Sequence, residues 1–282
     1  MAFQYEQKDI ILHVENLSVA YGEKVIISNV NFSERNVTRK DKTQGQIIAV
    51  LGRSGRGKST LFRTLTGLVP PTTGRILIPD YALPPANGVQ PAKEVEEGDV
   101  GFVDQRYTLF RHKTVFDAFL FALRNTKMTS QEKIDKSMSY LVDWGLEKVK
   151  DQYPNELSGG QRQRVAIIEQ LLSSGHYMVL DEPFSGLDVG NIQNVRKAFD
   201  LINCGHDLNT IIFSTHDIEL ATELADSIYV IGYPKKPDGS LENYGTVIKH
   251  FDLKALGIAW QSELTVDHLN LVKEIRTAML ES

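Results

Sequence analysis

The stretch Gly52-Arg53-Ser54-Gly55-Arg56-Gly57-Lys58-Ser59 follows directly on the apolar run Ile47-Ile48-Ala49-Val50-Leu51. Its spacing, G-x-x-x-x-G-K-S, is that of a phosphate-binding P-loop. Glycines let the backbone turn tightly, so that successive N–H groups converge on phosphate oxygens. Gly52, Ser54, Gly55 and Gly57 are the candidate cradle, with Thr60 just beyond it. Lys58 adds a point charge near the terminal phosphates, and the Ser59 hydroxyl is a candidate Mg²⁺ ligand. A helix beginning at Ser59 points its positive dipole end at the same anion. A buried strand before the loop and a helix after it are the context this motif requires. Arg56 is the odd member, a bulky cation among residues that wrap phosphate, either turned outward or adding a phosphate contact.

Outward from this loop, residues 177–180, 210–213 and 227–231 are further short, near-continuous apolar runs. Runs without alternation suit parallel strands covered on both faces. Helical spacing over residues 59–68, 161–173, 191–201 and 217–224 alternates with them, and the rhythm is that of a three-layer α/β core. Residues 10–20 alternate more and read as an antiparallel edge. Residues 33–45, polar and of mixed charge, read as an extended hairpin tip. Residues 79–99, with Pro84, Pro85, Pro91 and the cluster Glu94, Glu96, Glu97 and Asp99, read as a surface loop. Residues 107–156 break the rhythm: helical patterns at 115–123 and 131–144 mark a helical insertion. Val266, Leu269, Val272, Ile275 and Met279 give an amphipathic helix in the tail. The expected organisation is one domain over residues 1–235 and a C-terminal extension over 236–282, a helix covering the core.

The 282 residues are 41% hydrophobic and 24% charged, enough for a packed core. With 31 basic against 36 acidic residues the net charge is −5, which argues against a nucleic acid partner. Cys204 is the single cysteine, so no intrachain disulfide forms. No apolar run approaches the length of a membrane span, so direct membrane insertion is not expected.

Leu157-Ser158-Gly159-Gly160-Gln161 opens a helix, and Ser-Gly-Gly at a helix N-terminus is an anion site. The bland alternative is a serine N-cap after a flexible turn. Tyr177-Met178-Val179-Leu180-Asp181-Glu182 places two carboxylates at the end of a buried strand, costly unless a cation or hydrogen bonds compensate.

With these motifs in this order, residues 11–231 resemble the nucleotide-binding subunit of an ABC transporter. The resemblance implies a RecA-like P-loop NTPase core, mostly parallel and flanked by helices, with an antiparallel β subdomain and an inserted helical subdomain. It implies ATP and Mg²⁺ as ligands. Asp181 matches the Mg²⁺ partner, acting through water, and Glu182 the general base on the attacking water. Gln105 matches the Q-loop glutamine, offering its amide oxygen to Mg²⁺ or water. His216, in Ser214-Thr215-His216-Asp217, matches the switch histidine, and Tyr21 the aromatic that stacks on adenine. Ser158, Gly159, Gly160 and Gln161 match the segment that caps nucleotide held by a second copy. Asp188, in Ser185-Gly186-Leu187-Asp188, matches the residue that crosses that interface. The resemblance therefore implies a homodimer, or a pair with a related ATPase subunit, with two ATP molecules held between the copies.

Two departures stand out: Asp104 where an aromatic often precedes the glutamine, and Glu169 where relatives often carry arginine. The further expectations are transmembrane permease partners, ATP hydrolysis coupled to import, and a place on the cytoplasmic face of the membrane. Residues 179–188 look most like importer subunits, including the nitrate, sulfonate and taurine group. The competing reading is a soluble ABC-type ATPase acting on nucleic acid or ribosomes. The single cassette, the short insertion and the acidic balance weigh against it.

Overall fold

The computed structural model describes residues 4–40, 42–185, 189–261 and 264–282. Its centre is β3 (Gln46–Leu51), buried at every position and paired in parallel with β8 (Thr210–Thr215) and β9 (Ser227–Gly232). β7 (Tyr177–Leu180) and β6 (Val100–Val103) continue the parallel sheet beyond β8. β10 (Thr246–Asp252) closes the other edge, antiparallel to β9, so the order is β10-β9-β3-β8-β7-β6. Both faces of β3 are covered, which is why its sequence is apolar without alternation.

One face of this sheet packs against helices. α4 (Gly159–Ser173), α5 (Val189–Gly205), α6 (Ile218–Leu224) and α7 (Val266–Leu280) lie there with α2 (Val115–Ala122) and α3 (Ser130–Asp143). Phe119, Phe199 and Phe213 are sealed in that core. α2 is capped by Thr114, and α3 by a reciprocal capping box of Thr129 and Glu132. α5 ends beside Cys204, which is exposed. The other face packs against α1 (Lys58–Leu65) and a second sheet, ordered β2-β1-β4-β5. That sheet is antiparallel and built from β1 (Tyr5–Tyr21), β2 (Lys24–Arg39), β4 (Thr73–Pro79) and β5 (Ala92–Glu94).

The structure corrects three local expectations. Residues 10–20 are not an edge: β1 lies between β2 and β4, and its register shifts let one long strand pair on both sides. Residues 33–45 are not a hairpin tip, because β2 runs on to Arg39 and the turn is at Gly22. Their polarity misleads because Glu34 and Asn36 are buried. Tyr229 donates to Glu34 at 2.7 Å, and Lys254 lies 3.9 Å from the same carboxylate, so the polar groups are satisfied internally. Within residues 79–99, Ala92–Glu94 pair with β4 as β5. No helix among the described residues is long and apolar enough to cross a membrane.

Candidate functional site

The carboxyl ends of four neighbouring strands meet at one rim of the parallel sheet, the place where open α/β sheets bind ligands. β3 delivers the glycine-rich loop, β6 delivers Gln105, β7 delivers Asp181 and Glu182, and β8 delivers His216. They share a cavity of about 750 Å³, lined by Gly52, Ser54, Gly55, Gly57, Lys58, Ser59, Thr60, Gln105, Asp181, Glu182 and His216.

Gly57, just before α1, has φ +93°, and a Cβ there would stand 2.4 Å from the Ile27 methyl, so only glycine fits. Lys58 donates to the Gly52 carbonyl at 2.7 Å and lies 3.8 Å from Glu182 Oε1. Burial draws the Lys58 ammonium below its ordinary pKa, and the charges of Glu182 and Asp181 counter that. Ser214 links the carboxylate pair: its hydroxyl donates to Asp181 Oδ1 at 2.7 Å and accepts from the Glu182 backbone N–H at 2.8 Å. Glu182 itself has φ +53°, a left-handed conformation that is uncommon away from glycine and concentrates at functional positions. Its Oε2 lies 3.0 Å from His216 Nδ1. Gln105 donates to the Ser185 hydroxyl at 3.3 Å.

Asp104, which departs from the family's frequent aromatic, orders the same loop by hydrogen bonds. Its carboxylate accepts from the Arg106 and Thr108 N–H groups at 3.1 and 3.2 Å and from the Thr108 hydroxyl at 2.9 Å. Arg56 is turned outward: its guanidinium lies over the Tyr233 ring, 3.8 Å from the centroid, and donates to the Ser282 carbonyl at 2.9 Å.

Ser59, Gln105 and Asp181 are hard oxygen donors on one cavity, which fits Mg²⁺. Among the described residues, no group of three or more His, Cys, Asp or Glu could hold a metal ion unaided.

The remaining predicted residues lie elsewhere. Tyr21 is exposed at the end of β1 and does not line the cavity. Ser158, Gly159, Gly160 and Gln161 are also apart from it. Ser158 caps α4, accepting from Gln161 N–H at 3.3 Å, while the Gln161 amide oxygen accepts from Ser158 N–H at 2.8 Å. The capping atoms are those the sequence offered as either an N-cap or an anion site, and Ser158 and Gly159 are exposed. Asp188 lies outside the described residues.

Five contributors have no site role assigned from sequence. Ser214 was visible within the Ser214-Thr215-His216 segment, but its bridging of the carboxylate pair is legible only in three dimensions. Buried Gln163 donates to the Pro183 carbonyl at 2.6 Å and to the Tyr107 hydroxyl at 2.9 Å, tying α4 to the segment after Glu182. Burial pushes the Tyr107 phenol up to about 12, so it stays protonated and donates to the same carbonyl at 3.1 Å. Ile26 and Met279 supply the apolar side chains of the cavity wall.

Comparison with known proteins agrees with this arrangement. Residues 38–185 match the family model described as ABC transporter. The chain is 34% identical over 239 residues to the sulfate/thiosulfate import ATP-binding protein CysA of Pectobacterium atrosepticum, covering 83% of this chain and 66% of that protein. The chain thus spans just under two thirds of that relative. The probable sulfate/thiosulfate import ATP-binding protein CysA of Chlorella vulgaris is 36% identical over 219 residues, covering 77% of this chain and 86% of that one. Among solved structures, cbiO1 of Clostridium perfringens, part of the ABC transporter complex cbiONQ, superposes with a TM-score of 0.67 at 26% identity. That match covers 97% of this chain and 99% of the other. The fold, the glycine-rich loop and the carboxylate pair therefore have one explanation: the chain belongs to the ABC transporter family.

Proposed function

We propose that this chain is the ATP-binding and ATP-hydrolysing subunit of an ABC importer, working as a dimer beneath transmembrane permease subunits. One observation carries the reading. A single cavity gathers the glycine-rich loop, Lys58, Asp181, Glu182, Gln105 and His216, while the Ser158 turn stays exposed and apart from it. A triphosphate in this cavity has donors from its own chain on one side, and the opposite wall is supplied by Ser158, Gly159, Gly160 and Gln161 of a second copy. Tyr21 stacks on the base, and Asp188 crosses between copies. The names of the similar import proteins support import. The position follows as peripheral, on the cytoplasmic face of the membrane.

In the chemical step Glu182 accepts a proton from water as its oxygen attacks the γ-phosphorus, and the β–γ bridging oxygen leaves with ADP. His216, bonded through Nδ1 to the Glu182 carboxylate, orients that carboxylate and keeps Nε2 for a phosphate oxygen. Lys58 neutralises charge on the terminal phosphates. Ser59, Gln105 and, through water, Asp181 would hold Mg²⁺ beside the phosphates, where it would supply charge neutralisation.

The test is steady-state phosphate release from the purified chain. Wild type is expected to hydrolyse ATP. Glu182→Gln is expected to lower turnover by at least about a hundredfold while ATP still binds and a stable dimer accumulates. Undiminished hydrolysis in that variant removes Glu182 from the role of base.

A further inference from the structure

Most of the residues that line the nucleotide cavity are polar or glycine. The two apolar side chains that line it are Ile26 of β2 and Met279 of α7. Met279 belongs to the C-terminal segment, in which none of the nucleotide-binding motifs lies. Its position is fixed from several directions. The end of α7 is tied to the glycine-rich loop by the Arg56 bond to the Ser282 carbonyl. Arg56 is in turn held over Tyr233, whose hydroxyl donates to the Gly55 carbonyl at 3.3 Å. Lys235 and Glu281 pair at 3.1 Å beside the same junction.

The segment before β10 braces the loop from behind. Gly245 donates to the Ile26 carbonyl at 2.8 Å and accepts from Ser28 N–H at 2.9 Å. A Cβ on Gly245 would stand 2.1 Å from the Arg56 carbonyl, so the chain passes there only as glycine. The C-terminal segment is therefore built into the site at Ile26, Gly55, Arg56 and the cavity wall.

A nucleoside triphosphate has one apolar part, the base with the adjoining face of the ribose. The phosphates are already accounted for by Lys58 and the loop amides. We propose that Met279 is a nucleobase-contacting residue: with Ile26 it forms the apolar wall for a purine base, and the Arg56–Ser282 bond holds α7 in place for that contact. A thioether suits the task, being polarisable and able to lie against an aromatic ring. Binding linkage adds a second consequence, since a ligand that touches docked α7 must stabilise its docking.

The inference rests on the ATP-binding reading, and the test separates the two. Affinities of ATP and of inorganic triphosphate are measured for wild type, Met279→Ala and Met279→Leu, using the full chain. Inorganic triphosphate carries the phosphate interactions without the base. Met279→Ala is expected to weaken ATP about fivefold to tenfold, with triphosphate affinity unchanged within about twofold and Met279→Leu close to wild type. In wild type, ATP but not triphosphate is expected to slow amide hydrogen exchange across residues 266–280. Equal weakening of both ligands by Met279→Ala, or no weakening of ATP, overturns the proposal. Failure of wild type to bind ATP at all overturns the functional reading, and the proposal falls with it.

Discussion

At the scale of single residues, Ser214 and Glu169 show how a side chain's role depends on what surrounds it. Ser214 holds Asp181 by its side chain and Glu182 by its backbone. Ser214→Ala leaves the left-handed Glu182 without that anchor. Hydrolysis is expected to fall about tenfold or more, with the Mg²⁺ concentration for half-maximal rate rising, both read from phosphate release. Glu169 is buried, and its Oε1 accepts no hydrogen bond. Desolvation pushes its carboxyl up to about 8. A raised folded-state pKa means that stability is fully present below the unfolded value of 4.5 and is lost as pH rises through about 8. Glu169→Gln removes that loss. The variant is expected to melt about 5 °C above wild type near pH 9, the gap narrowing toward pH 5, by thermal denaturation. The Asp181–Glu182 pair was legible as two carboxylates closing an apolar run, whereas Gln105 and His216 were legible only through the family resemblance. Ser214 and Met279 were not, since their roles depend on neighbours distant in sequence.

At the scale of elements, β3, β7, β8 and β9 were legible because strands covered on both faces carry unbroken apolar runs. β10 was not. It is a half-exposed edge whose sequence, TVIKHFD, mixes polar and apolar positions. The second half of β2 was not legible as a strand because its buried Glu34 and Asn36 are polar, with Tyr229 and Gln46 as their hydrogen-bond donors. Between elements, Gln163 fastens α4 to the loop after β7 through the Pro183 carbonyl and Tyr107. Gln163→Leu keeps the volume and deletes those bonds. It is expected to cost about 1–3 kcal/mol in denaturant unfolding. Because Ser158 caps α4, the same variant is expected to lower ATP turnover with less effect on ATP affinity.

At the scale of the molecule, the separation of the Ser158 turn from the cavity makes cooperation between copies the main prediction. The rate per chain is expected to rise with chain concentration at saturating ATP. Ser158→Arg is expected to lower turnover about a hundredfold while leaving ATP binding to the monomer intact, checked by light scattering and equilibrium titration. The layered α/β plan was legible from the alternation of runs, whereas the packing of the tail against the glycine-rich loop was not, since no motif marks it. Gathering the chemistry at one rim has a practical corollary for the opposite one. The sole thiol, Cys204, is exposed on the last turn of α5, and six residues of β8 separate that end of the sheet from the catalytic rim. That is about 20 Å of strand. A single fluorophore can therefore be attached to the unmutated chain, so that energy transfer between labelled copies follows opening and closing without a dye near the motor.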